Sequence, residues 1–165
     1  MSSAEHRKDA PANLRCVVLT ISDTRTPATD TSGDAIVQAL TAGGHQVVDR
    51  EIVRDEPNLV RDFVRKHAPE AQVIITTGGT GITSRDTTYE AISALFEKTL
   101  DGFGELFRML SYDEIGSAAM LTRACAGTIG KTVVFALPGS HHAVRLAMNK
   151  LILPEIGHVV RELSR

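Results

Sequence analysis

The sequence has no tryptophan, two tyrosines and five phenylalanines, so it offers no aromatic ladder on which bases could stack. Its formal net charge of -2 carries no basic excess, which removes the electrostatic footprint of a nucleic-acid surface. No apolar run reaches the ~18 residues of a membrane span. Residues 1–12 are polar and carry no apolar core of a secretory signal, so a cytoplasmic location is expected. Two cysteines, Cys16 and Cys125, form no CxxC and pair with no histidine at metal-binding spacing, which argues against a disulfide framework or a zinc site.

What is present suits one folded domain. The chain has 165 residues, 42% of them apolar, enough to bury a core. Residues 1–12 read as a flexible tail and residues 13–165 as a single domain. Four short apolar runs rich in β-branched residues read as strands buried on both faces: Leu14 to Ile21, Gln46 to Val53, Gln72 to Thr77 and Thr132 to Leu137. Helical patterns lie between them. One starts near Thr31 or Ser32 and stops at Gly43-Gly44. Another opens at Pro57. Thr87-Thr88-Tyr89-Glu90 has the spacing of a capping box, and Ser111-Tyr112-Asp113-Glu114 offers a second that would split residues 103–121 into two helices. Ser140 can cap a helix from His141 to Lys150, and Pro154 starts or kinks the last one. Alternating strand and helix is the pattern of a doubly wound α/β domain.

In such sheets ligands bind outside the carboxyl ends of the strands. The segments there are Ser22-Asp23-Thr24-Arg25, Arg54-Asp55-Glu56, the glycine loop Gly78 to Asp86, and Pro138-Gly139-Ser140-His141-His142. If the strands are parallel, all four lie on one edge. Glycines let backbone N–H groups approach an anion, and Thr77, Thr80 and the neighbouring hydroxyls add neutral donors. Asp23, Asp55 and Asp86 would repel a bare phosphate but suit a hard cation such as Mg²⁺ shared with it. Arg85 can offset part of the charge. Each feature alone has a plainer reading: a loop aspartate is often a turn former, and Asp23 could make an Asx-turn. The loop is neither a P-loop, which Gly-Lys-Ser/Thr would close, nor a dinucleotide fingerprint, since Ser84 stands where the third glycine belongs. Of the six histidines only His141 and His142 open a helix at this edge. The stripe Phe103, Leu106, Phe107, Leu110 has helical spacing and reads as core or a subunit contact.

These loops, in this order, resemble the molybdenum cofactor biosynthesis proteins of the B type, within a wider family that includes the molybdopterin adenylyltransferases and the G domain of gephyrin. The resemblance rests on Leu19-Thr20-Ile21-Ser22-Asp23, Thr76 to Asp86, Gly102 to Leu121, Ala136 to Ser140 and Leu151 to Val159. It implies a three-layer αβα domain with a mostly parallel sheet, assembled as a trimer or hexamer. It implies binding of molybdopterin and its adenylylation with Mg-ATP. By the same resemblance the essential acidic residues, and the Mg²⁺ ligands, are Asp55 and Asp86. Ser22, Asp23, Thr77, Gly78, Gly79, Thr80, Gly81, Pro138, Gly139 and Ser140 would hold the ligands. Two departures stand out: Thr88-Tyr89 where the family has Thr-Pro, and His141-His142 after the Pro-Gly-Ser turn. A family member that binds molybdopterin or a nucleotide without turnover is the alternative.

Overall fold

A computed structural model describes residues 2–165. Met1, the first residue of the expected tail, lies outside the described residues. A six-stranded sheet forms the centre, in the order β2-β1-β3-β6-β5-β4. β1 (Arg15–Ile21), β2 (Gln46–Val53), β3 (Val73–Thr77) and β6 (Thr132–Leu137) are parallel. They match the four expected strands to within a residue at their ends. β5 (Cys125–Ile129) runs antiparallel to β6, and the two-residue β4 (Lys98–Thr99) antiparallel to β5.

Helices cover both faces and complete three layers. Cys16 and Val18 of β1 face a core built with Ile36 and Leu40 of α2 (Thr31–Ala42) and Ile152 and Ile156 towards the C-terminus. Val17 and Leu19 face the opposite core, with Val60 and Phe63 of α3 (Pro57–His67) and Ile92 of α4 (Thr88–Ser93). This alternation explains the unbroken apolar strands: successive side chains enter different cores. The chain steps from β1 to β2 on one side and returns to β3 on the other, with α2 and α3 on opposite faces. A crevice therefore opens at the carboxyl ends of β1 and β3.

Helix ends follow the sequence in most places. Asp30 caps α2 by accepting the Gly33 N–H at 3.1 Å, and Pro57 lies in the first turn of α3. Ser140 caps α6 (His141–Ala147), accepting the Ala143 N–H at 3.2 Å. A π-helical stretch, Met148–Ile152, then leads into α7 (Leu153–Leu163), with Pro154 in its first turn.

Three expectations are corrected. The expected tail contains a helix, α1 (Ser3–Lys8), and Arg7 makes an ion pair with Glu155 of α7. α5 (Asp101–Ile115) is continuous through Ser111, because Ser111 is buried on its core face; the break falls at Gly116, whose φ of 67° ends the helix and starts a 3-10 segment, Gly116–Leu121. The capping box at Thr87 does not form. The Thr87 hydroxyl turns to Asp55 Oδ1 at 3.3 Å, and Glu90 pairs with Arg123. Cys16 and Cys125 are buried and free, with their thiol pKa values pushed up by burial to about 12 and about 11.

Candidate functional site

The carboxyl ends of the parallel strands surround a cleft of about 540 Å³. Its walls hold Asp23, Asp55 and Asp86 together with the glycine loop. Of the twelve residues expected to form the site, eleven line it. The exception is Ser140, whose hydroxyl serves the N-terminus of α6.

The glycine loop starts where β3 ends. Gly78 and Gly79 have φ values of 106° and 75°. A Cβ on Gly78 would stand 2.1 Å from the Ile21 carbonyl oxygen, so only glycine lets the loop cross the end of β1. The Gly78 N–H bonds the Leu137 carbonyl at 2.9 Å. It extends the β3–β6 ladder and is not a free donor, contrary to the expected role. Among the described residues, the N–H groups of Gly79, Thr80 and Gly81 have no protein acceptor. Three successive donors beside a cleft are an anion-binding arrangement.

The neighbouring loops are tied to this one. Thr77 Oγ1 donates to the Pro138 carbonyl at 2.8 Å, and Ser32 Oγ to the Gly139 carbonyl at 2.8 Å. Ser22 Oγ accepts the N–H groups of Thr24 and Arg25 at 3.2 and 3.0 Å, which folds the turn after β1.

The three aspartates have different surroundings. Asp23 receives Arg85 through Nε and Nη2, both at 3.0 Å, and accepts the Asp55 N–H at 3.0 Å. The Arg85 bonds hold its carboxyl below the usual range. It is a brace rather than an open ligand. Asp55 is 8% exposed, and burial raises its pKa. Hydrogen bonds from Thr87 oppose that rise, and the charges of Asp86 and Asp23 add to it. Asp86 Oδ2 accepts the Thr83 N–H at 2.9 Å and the Thr83 hydroxyl at 2.7 Å; Oδ1 carries neither bond.

Asp55 and Asp86 lie against the same loop. A Cβ on Gly79 would be 3.4 Å from Asp55 Oδ1, and one on Gly81 would be 2.7 Å from Asp86 Oδ2. Among the described residues no group of three or more His, Cys, Asp or Glu encloses a metal. Two carboxylates, one of them desolvated, fit Mg²⁺, which keeps part of its shell for water and phosphate oxygens.

Some cleft residues lie outside the strand-end rule. Thr20 donates to Asp30 at 2.7 Å, and Asp30, 1% exposed, is paired with Arg50 at 3.0 Å. Ala118, Leu121 and Thr122 close the cleft from the segment before β5. His141 and His142 do not line it; His142 Nε2 lies 2.5 Å from Glu114 of α5.

A family model described as "Probable molybdopterin binding domain" matches residues 17–158. The chain is 55% identical to molybdenum cofactor biosynthesis protein B of Bacillus cereus, over 100% of this chain and 99% of that one. It is 52% identical, over the same shares, to the protein of that name from Bacillus subtilis. The chain belongs to the molybdenum cofactor biosynthesis protein B family. A crystal structure of a family member is 56% identical and superposes with a TM-score of 0.90, covering 95% of this chain and 99% of that one. The tungsten cofactor synthesizing protein MoaB from Pyrococcus furiosus is 40% identical, with a TM-score of 0.84 over 94% and 100% of the two chains. The family places the chain in molybdenum cofactor biosynthesis, and the mixed sheet with helices on both faces is the family's fold. Among the described residues no helix is long and apolar enough to cross a membrane.

Proposed function

We propose that this chain adenylylates molybdopterin with Mg-ATP and releases pyrophosphate. The observation that carries the reading is the placement of Asp55 and Asp86 against one glycine loop whose successive N–H groups have no protein acceptor. A terminal phosphate oxygen of molybdopterin attacks the α-phosphorus of ATP. A new P–O bond forms, the bond to the β-phosphate oxygen breaks, and pyrophosphate leaves with the electron pair. Little covalent work falls to the protein, which positions the groups and balances charge.

Gly79, Thr80 and Gly81 donate N–H groups to phosphate oxygens as negative charge shifts to the leaving group. Asp86 and Asp55 hold Mg²⁺, which would neutralise that charge when bound. Asp23 and Arg85 brace the backbone at Asp55. Neither cysteine takes part, since both thiols are buried.

The reading includes a homo-oligomer, trimer or hexamer. Leu106, Met109, Tyr112, Ile115 and Met120 stand exposed along α5 and the 3-10 segment. Exposed apolar side chains in this number on one helix and the segment after it suit a subunit contact.

The test is incubation with molybdopterin and Mg-ATP, following pyrophosphate and adenylylated pterin together. Tight binding of both substrates with no product would replace this reading with a non-catalytic binding protein.

A further inference from the structure

Arg123 stands between the 3-10 segment and β5, in a stretch that looks unremarkable in sequence. Its backbone N–H donates to the Thr80 carbonyl at 2.8 Å. Its Nε donates to the Gly81 carbonyl and its Nη2 to the Asp86 carbonyl, each at 2.9 Å. Nη1 pairs with Glu90, whose carboxyl is held below its ordinary range by that contact. The guanidinium carbon lies 5.4 Å from the centre of the Tyr89 ring. One side chain thus grips both ends of the segment from Gly81 to Asp86 and is itself seated on α4.

Among the described residues no peptide bond is cis. In a planar trans peptide the C=O of one residue and the N–H of the next point in opposite directions. Carbonyls drawn to Arg123 therefore send the N–H groups of Gly81, Ile82 and Thr87 away from it. Gly81 lines the cleft, and the Thr87 N–H acts on Asp55. Arginine suits the task because its fork of donors is rigid and wide enough to reach two carbonyls and a carboxylate at once; a lysine ammonium is a point charge.

We infer that Arg123 is the positioning residue of the glycine loop: by holding the carbonyls of Thr80, Gly81 and Asp86 from outside, it presents the N–H groups of Gly81 and Thr87 to bound phosphate and to Asp55. Arg123 touches no reacting atom and acts through the loop. The functional part of this inference rests on the adenylyl-transfer reading; the staple itself does not.

The test compares the full chain with Arg123→Lys and Arg123→Ala. Amide hydrogen exchange is measured first, without ligand. Exchange at Thr83, Asp86 and Thr87, whose N–H groups are hydrogen-bonded around the loop, rises about tenfold in both variants, while β3 and β6 amides keep their rates. Should the alanine variant not fold, the lysine variant, which keeps the stem and charge, carries the comparison. Turnover with molybdopterin and Mg-ATP then falls in kcat by about tenfold or more, with a smaller change in KM. Guanidinium ion added to the alanine variant restores part of the loss. Unchanged exchange in residues 80–87 overturns the staple. Faster exchange with unchanged kcat overturns the positioning role. An inactive unaltered protein refutes the adenylyl-transfer reading instead, and the exchange rates still decide the staple.

Discussion

The carboxylate of Asp23 holds the backbone N–H of Asp55 at 3.0 Å. One aspartate thereby fixes the position of another, and the two are driven apart in character. Arg85 stabilises the charge on Asp23, whereas burial disfavours the charge on Asp55. Pairs of carboxyl groups separated in this way mark a division of roles: Asp23 braces, and under the proposed function Asp55 serves the ligand.

Asp23→Ala removes the acceptor from the Asp55 N–H and frees Arg85. Solvent screens this exposed hydrogen bond and ion pair, so their loss costs little stability. Urea unfolding checks the stability, and turnover falls more steeply than stability because Asp55 loses its support.

Asp55→Asn separates stability from function. The folded pKa of Asp55 lies above its unfolded value, so the ionised carboxylate destabilises the fold, and this penalty grows as pH rises through the window above 3.8. In chelator, the asparagine variant melts higher than the unaltered protein at pH 7. The gap narrows as pH is lowered towards 4. Adding Mg-ATP stabilises the unaltered protein more than the variant. A lower Tm for the variant at pH 7 would contradict the burial argument.

Gly78→Ala forces a Cβ onto the Ile21 carbonyl oxygen at 2.1 Å, at a φ of 106°. Strain and overlap together cost about 3 kcal/mol. Thermal unfolding should show a loss of about 6–12 °C, the range that this cost gives for a chain of this size. Gly44→Ala has open space at its Cβ and carries only the backbone penalty of a φ of 85°, so it loses less.

Leu106→Glu and Met109→Glu place charges on the exposed face of α5, where the native side chains are 47% and 56% exposed. Sedimentation velocity should show a trimer or hexamer for the unaltered chain and smaller species for the double variant. A monomer for the unaltered chain would remove the proposed subunit contact.

The readable parts of the sequence were those in which local chemistry and tertiary packing agree. β1, β2, β3 and β6 announce themselves because buried parallel strands need long β-branched runs. β5 is short and made of small residues; its Gly127 makes room for the Phe96 ring, which would be 2.3 Å from a Cβ there. That requirement lies in another element and leaves no local signal. Thr87 has the spacing of a cap, but Asp55, 32 residues away, draws its hydroxyl elsewhere. The rule of carboxyl ends gathered the cleft residues from four separate loops. It missed Asp30 and Ser32, which enter at the start of a helix, and it could not reach Arg123. Arg123 approaches the loop from behind, from a segment leading into an antiparallel strand.

Asp86 is the residue on which the proposed chemistry turns most sharply. Its replacement by asparagine keeps the shape and leaves the Thr83 bonds an acceptor, so the fold should persist. The deciding measurement is pyrophosphate release, with adenylylated molybdopterin counted in the same sample, for the unaltered protein and for Asp86→Asn in Mg-ATP. The account predicts equal amounts of both products from the unaltered protein and a loss of about 100-fold or more in the folded variant, as expected when a carboxylate that would hold the charge-neutralising Mg²⁺ is removed. Product formation at the same rate in both, or none from the unaltered protein with both substrates bound, would contradict it.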